Sequence, residues 1–407
     1  MKSQEIIIPR PIYLNHILEL IDKGMMLVLV GQRRVGKSFI LLQLEKELKS
    51  RNSAANVIYI NKELTKYNLI STSDQLYNYV DGKLHTDTQN YLLIDEVQDI
   101  TDFQLALRSL HAERKCQIIV TGSNAHIFSS ELSTLIGGRY IEIPVYSLSY
   151  NEFLQFQNLE NSDASLERYL SVGGLPGLSL FDINNERQVN DYLQGVFSTI
   201  IIKDIVSRES IRNVKFLENL ITFIAENIGK LFSSRKVTDT MNSYGNKISD
   251  ILTNTYVRYI RNALLIREVA RFDIHGKKIF EQIQKYYFSD HGIRNLLTSF
   301  TIRGSIEKVM ENVIYNHLLI HGYKVYVGSL KAAEIDFVAV KGDSRIYIQS
   351  SYLLTSQDTI DREFGNLASI RDNYPKMVIT MEPIAGGFPE YPGILHVQLR
   401  DFLTSFS

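Results

Sequence analysis

The chain holds one cysteine, Cys116, among 407 residues, so it can form neither an internal disulfide nor a cysteine-rich zinc site. That thiol reads as a small buried hydrophobe, and cysteine scarcity fits a reducing compartment. No apolar stretch approaches the length of a membrane span. The N-terminus also lacks a basic region followed by an apolar core and a small-residue cleavage site. The cytoplasm is therefore the expected location, with no membrane partner. Low-complexity tracts and short-period repeats are missing too, and the hydrophobic and charged fractions, 44% and 22%, are those of an ordinary globular protein. Net charge is −1, which gives no global attraction for nucleic acid. The charge is unevenly spread, however: between Lys230 and Lys285 eleven Lys or Arg face five Asp or Glu.

The length exceeds what one hydrophobic core usually serves, so several domains are expected. Met25-Met-Leu-Val-Leu-Val30 is a continuous apolar run of the kind a parallel strand buried on both faces requires. Asn56–Ile60, Tyr91–Ile94 and Gln117–Val120 repeat the signal between helical stretches, and Tyr140–Ile143 closes the region. This alternation predicts an α/β fold with a doubly wound parallel sheet over 1–146. Helices follow over 147–214 as a lid or linker, interrupted by Gly173-Gly-Leu-Pro-Gly177, which reads as a hinge. Short helices and then two β-like runs, Leu264–Phe272 and Lys285–Phe288, predict a winged-helix-like domain over 215–303. A long helix from Gly304 and strands at 324–327, 334–340 and 345–349 predict a third α/β unit over 304–407.

The apolar run at 25–30 opens directly into Gly31-Gln32-Arg33-Arg34-Val35-Gly36-Lys37-Ser38-Phe39. This is a phosphate loop: its glycines let amide hydrogens turn toward an anion, and the following helix adds its dipole. Gly31 to Phe39 form the expected ATP-binding set, with Lys37 reaching the β- and γ-phosphates and Ser38 a magnesium ligand. Downstream, Leu92-Leu-Ile-Asp95-Glu96 places two carboxylates at the carboxyl end of a buried strand. Asp95 is the second expected Mg²⁺ ligand, and Glu96 the base that orients and deprotonates the attacking water. Thr121-Gly-Ser123-Asn124 ends the next strand, where Ser123 or Asn124 would position that water, or simply cap a helix. Arg139 is a candidate arginine for a neighbouring subunit's transition state, or a surface residue.

With these residues in view, the chain resembles a family of prokaryotic AAA+-type P-loop ATPases. Their motifs read Gly-x-Arg-Arg-x-Gly-Lys-Ser/Thr, Leu-Ile-Asp-Glu-Val-Gln and Thr-Gly-Ser. That resemblance implies a C-terminal region with a nuclease-like fold, of which Arg362–Leu367 and Asp372–Lys376 look like the closing segments.

Two further sites follow from the later regions. In a winged helix the second helix of the pair enters the major groove. Here that helix runs from about Ser249 to Asn262, exposing some of Asn254, Arg258 and Arg261, with Arg267, Arg271, Lys277 and Lys278 on the hairpin. The C-terminal order is similar to a PD-(D/E)xK nuclease, with Glu311 on the helix and Asp336 in the strand. Gln349 and Ser351 stand where that chemistry needs an acid and a lysine, so cleavage is not expected. Lys331 and Lys341 are the lysines that might have migrated into the missing role. The leading reading is an ATP-hydrolysing, Mg²⁺-dependent regulatory or DNA-associated ATPase. A nucleotide-gated protein-interaction switch and an ATP-regulated DNA nuclease are the alternatives. The candidate partners are ATP, double-stranded DNA, and a protein or second copy of the chain.

Overall fold

The computed structural model describes residues 8–125, 137–243, 248–276, 278–298, 302–330, 333–382 and 388–406, with the backbone alone at 278, 280–283 and 302–304. Lys277, the side chain of Lys278, and Lys331 therefore lie outside the described residues. The chain divides into two compact units, Met1–Tyr146 with Asn262–Leu264, and Ser147–Arg261 with Leu265–Ser407.

The first unit is built on five parallel strands: β1 (Met26–Val30), β2 (Asn56–Asn61), β3 (Asn90–Asp95), β4 (Gln117–Gly122) and β5 (Tyr140–Pro144), in the order β2-β3-β4-β1-β5. Every residue of β1 and β3 is buried. Such strands are specified by uninterrupted apolar runs, because a parallel sheet offers no solvent face, and each fully buried aliphatic side chain contributes roughly 1.5–3 kcal/mol. The expected parallel sheet is thus present. Its strand order has one consequence for chemistry: β4 stands between the phosphate-loop strand β1 and the acid strand β3. The residues ending β4 therefore emerge between Lys37 and Asp95-Glu96.

The second unit contains a mixed seven-stranded sheet, ordered β12-β11-β10-β9-β8-β6-β7. Its strands are β6 (Ile266–Asp273), β7 (Lys278–Phe288), β8 (Lys324–Ser329), β9 (Glu334–Lys341), β10 (Ser344–Ser350), β11 (Lys376–Thr380) and β12 (Ile394–Gln398). The two runs expected to make a wing are β6 and β7, and β6 pairs in parallel with β8 through Arg271, Phe272 and Asp273. The hairpin is therefore not a free-standing wing. It buries Ile266, Val269 and Phe272 at every third position and extends the C-terminal sheet. Helices Val214–Glu226, Ser234–Ser243 and Asp250–Asn262 precede it; Thr238 and Thr253 hydroxyls bond across the last two at 2.8 Å, and Phe216 meets Tyr256 ring to ring. Phe232 N–H donates to Gln284 O, attaching the segment between the first two helices to β7.

The expected hinge at Gly173–Gly177 is a clamped segment. Gly174 N–H donates to Asp290 Oδ2 at 3.0 Å, and Gly174 O accepts from Leu148 N–H at 2.7 Å. Gly173 holds φ +87°, and a Cβ there would come within 2.6 Å of Asp290 Oδ1 and of the Gly292 backbone. These glycines permit close packing rather than motion. Gly173→Ala should cost roughly 1–3 kcal/mol or more, the worth of holding a non-glycine residue at φ +87°, ψ −172°. Gly195, in the helix Glu186–Thr199 with open space around it, should stabilise by about 0.5–1 kcal/mol when changed to Ala. Denaturant unfolding of both variants checks the contrast.

Candidate functional site

The phosphate loop lies between the end of β1 and the helix Lys37–Arg51. Its two glycines serve different needs. Gly36 adopts φ +97°, whereas Gly31 lies against β5, where a Cβ would sit 2.3 Å from Val145 O. Arg34 also takes a positive φ, +70°, and is exposed. Lys37, almost wholly buried, donates to Gly31 O at 2.8 Å and to Gln32 O at 3.1 Å, so its ammonium is held inside the curl of the loop. Gln32 is buried with neither amide atom hydrogen-bonded. Buried polar atoms of this kind are costly unless something satisfies them. Arg33 forms an ion pair with Glu63 at 3.7 Å, and Phe39 is an exposed aromatic just inside the helix.

The loop is braced from a direction the sequence reading missed. Arg10 is 2% exposed, and one guanidinium nitrogen donates to both Val35 O at 2.8 Å and Tyr146 O at 3.1 Å. Its backbone N–H donates to Gln43 Oε1 on the loop's helix. One buried cation thus ties the N-terminal segment, the phosphate loop and the chain after β5 together. The only local signal was an arginine before a proline, and its partners lie 25 and 136 positions away.

Asp95 ends β3 and Glu96 follows it, both buried. Glu96 occupies the left-handed region at φ +57°, a conformation that costs a non-glycine residue free energy and is concentrated at functional sites. Thr121 at the end of β4 sets the pair: its hydroxyl donates to Asp95 Oδ1 at 2.6 Å and accepts the Glu96 N–H at 2.9 Å. Sequence reasoning named Ser123 and Asn124 at this edge but gave Thr121 no part. Its role depends on β4 being inserted between β1 and β3. Ser123 and Asn124 are both buried here, and Ser123 bonds to the Glu96 carboxylate together with Gln98. Gln98 was a second omission.

Electrostatics separates the two acids. Burial raises the pKa of Asp95, with the Thr121 and Ser38 hydroxyls pulling it part of the way back. Burial would likewise raise Glu96, but the charges of Lys37 and Arg33 and the hydrogen bonds from Gln98 and Ser123 outweigh it, and the net shift is downward. Glu96 is accordingly ionised at neutral pH. Asp95 Oδ2 has no hydrogen-bond partner. This open carboxylate oxygen beside the Ser38 hydroxyl suits a divalent cation, and the unsatisfied Gln32 amide and curled Lys37 suit a phosphate chain. The residues present thus fit a magnesium–nucleotide complex. Arg139 does not join them: it is exposed beside Met26, at the amino end of the sheet, opposite the loop.

The remaining expected residues are in the second unit. Of the basic set, Arg261 is ion-paired with Glu268, and Arg271 donates to Ser329 Oγ at 3.0 Å. Arg258 and Asn254 are exposed on their helix, with the Arg258 guanidinium 5.5 Å from the Tyr259 ring centre, and Arg267 is half-buried. Glu311, Asp336 and Gln349 line a cleft of about 500 Å³, but Ser351 does not, its hydroxyl donating to Leu353 O. The neighbouring Ser350 binds Asp336 instead, through its N–H at 2.8 Å and its hydroxyl at 3.1 Å. Gln349 Oε1 accepts from Asp336 N–H, and its amide donates to Glu363 Oε2. Lys341 stacks over Tyr323 and does not line the cleft. Burial pushes Glu311 up to about 8 and Asp336 up to about 6, and the Lys285 charge opposes both shifts. Lys285 and Glu363 were not anticipated.

Comparison with known proteins agrees with this geometry. Residues 23–154 match the family described as an AAA domain, and residues 163–303 match a domain of unknown function (DUF8612). An uncharacterised protein of Haemophilus influenzae is 31% identical over 379 residues, covering 92% of this chain and 93% of its own length. An uncharacterised protein of Methanocaldococcus jannaschii is 27% identical over 345 residues, covering 80% and 74%. Among solved structures, the Walker-type ATPase PABY2304 of Pyrococcus abyssi superposes with a TM-score of 0.51 at 17% identity, over 71% of this chain and 96% of that one, a likeness of fold. Among the described residues no helix is long and apolar enough to cross a membrane. The chain belongs to the same family as the Haemophilus influenzae protein, and its first unit is a P-loop domain of the AAA+ ATPase type.

Proposed function

We propose that the protein binds ATP with Mg²⁺ and hydrolyses it, and that residues 1–146 carry this chemistry. The observation behind the reading is the buried pair Asp95-Glu96, held by Thr121 beside the phosphate loop, with opposite pKa shifts on its two members. Amides of Gly31 to Phe39 would cradle the phosphates. Lys37 would leave the Gly31 and Gln32 carbonyls for the β- and γ-oxygens. Ser38 and Asp95 would hold the metal, which supplies charge neutralisation on the phosphates. Glu96 would accept the proton of the attacking water, while Ser123 and Asn124 fix its position. Arg139, exposed at the amino end of the sheet, does not join the site of its own chain and would act, if at all, at that of a neighbouring copy.

Lys37→Ala should weaken ATP binding by about 1.5–3 kcal/mol, the range for hydrogen bonds to charged groups, or roughly ten- to a hundred-fold in Kd. Glu96→Gln should retain ATP and slow turnover by about 10²- to 10⁴-fold, the typical worth of general-base catalysis. Fluorescent-nucleotide titration and phosphate release measure the two effects separately. A Glu96→Gln protein that turns over at the parent rate removes the base assignment. ATP binding by the parent without turnover favours the nucleotide-gated switch.

We further propose that ATP state governs a DNA-associated role of residues 215–303. The helical order, the Thr238–Thr253 contact and the attachment of Phe232 to β7 support a winged-helix-like arrangement. Helix Asp250–Asn262 exposes Asn254 and Arg258 for groove contact. Because Arg261 and Arg271 already have partners in the chain and Arg258 is exposed, Arg258, Lys277 and Lys278 would carry the phosphate contacts. Neutralising three phosphates gives a slope of about −3 or shallower in log K against log salt. A salt titration of duplex binding, with and without ATP, tests this. No binding at low salt in either state rejects the DNA role.

A further inference from the structure

The C-terminal cleft gathers Glu311 and Asp336, the acids expected of a nuclease-like site, but bonds both within the chain. Asp336, Glu311, Glu363 and Glu334 are already engaged by the chain. Asp336 Oδ2 accepts from Ser350, Glu311 Oε2 accepts from the Tyr287 hydroxyl at 3.1 Å, and Glu363 is held by Arg362 on one oxygen and Gln349 on the other. Among the described residues, no three His, Cys, Asp or Glu side chains are arranged to hold a metal ion. Behind these acids, in contact with Glu334 of the lining, lies Lys285, contributed by β7. Its side chain is only 3% exposed and its Nζ lies 2.5 Å from Glu334 Oε1. Burial would lower its pKa, but the carboxyl groups of Glu311, Asp336 and Glu334 outweigh this and the net shift is upward.

A buried ammonium persists only where carboxylates compensate it, and buried carboxylates need a cation in return. In a nuclease of this layout that cation is divalent and arrives from solvent. We propose that Lys285 is an internal counter-ion that takes the charge role of the divalent cation in this cleft, so that the domain folds and works without metal there. Side chains of β7 make this possible: β7 is an edge strand of the sheet, separated from β9 by two strands, yet Lys285 reaches Glu334 at the start of β9 and the Tyr287 ring meets Phe337 on it. Tyr287, two residues further along β7, points the same way and holds Glu311. The same feature accounts for Gln349. With one lysine among several acids, a further carboxylate near Asp336 would add excess negative charge, whereas an amide can accept from Asp336 N–H and donate to Glu363.

The test is Mn²⁺ uptake by the full chain without nucleotide, followed by electron paramagnetic resonance, in an Asp95→Asn background that removes the proposed nucleotide-site metal ligand. The parent should take up no Mn²⁺ that Asp336→Asn abolishes. Lys285→Ala should gain one ion bound at least tenfold more tightly than any ion at the parent cleft, and Asp336→Asn should remove it. Lys285→Arg, which keeps the charge, should resemble the parent. Mn²⁺ at the parent cleft, or no gain in Lys285→Ala, overturns the proposal. If Lys285→Ala does not fold, the parent comparison decides: Asp336-dependent uptake overturns the proposal and its absence supports it.

Discussion

The hydroxyl of Thr121 is the constraint on which the nucleotide site depends. One oxygen accepts the backbone N–H of Glu96 and donates to the side chain of Asp95, so two adjacent carboxylates are held in place by a third strand. Adjacent acids at a strand end would otherwise point to opposite faces, since side chains alternate along a strand. The left-handed turn at Glu96 breaks that alternation and brings both acids to the loop. The bond to Thr121 helps offset the conformational cost. β4 lies between β1 and β3, which places Thr121, 26 positions from Asp95, within reach of both acids.

The second unit follows a related logic with charges in place of hydrogen bonds. The hairpin of β6 and β7 is joined to β8, and its Lys285 lies against Glu334 of the acidic cleft. Local strand pairing and buried charge therefore support one another: slipping the register of β7 by one residue would turn Lys285 and Tyr287 to the other face and leave the acids uncompensated. Asp290, just after β7, then caps the following helix and clamps Gly174. One short stretch thus organises much of the unit.

The parallel sheet was legible because its strands are buried on both faces and read as unbroken apolar runs. The phosphate loop and Asp95-Glu96 were legible because their chemistry is concentrated in consecutive residues. Arg10, Thr121 and Lys285 were not, since each is an unremarkable polar residue whose partners come from distant segments. The glycines at 173 and 174 carried an ambiguous signal: the same lack of a side chain permits either a bend or a close approach, and only Asp290 and Leu148 decide for the latter. The hairpin at β6 and β7 was read correctly as two strands, but its own sequence could not specify the β8 edge that receives it.

The account rests on Thr121 fixing the acids, and the most direct measurement compares ATP turnover in Thr121→Val and Thr121→Ser. Serine keeps the hydroxyl, whereas valine keeps the shape and removes both hydrogen bonds. The account predicts that Thr121→Ser turns over close to the parent rate, while Thr121→Val retains ATP binding and loses at least tenfold in turnover. Equal turnover by the valine variant and the parent would contradict it.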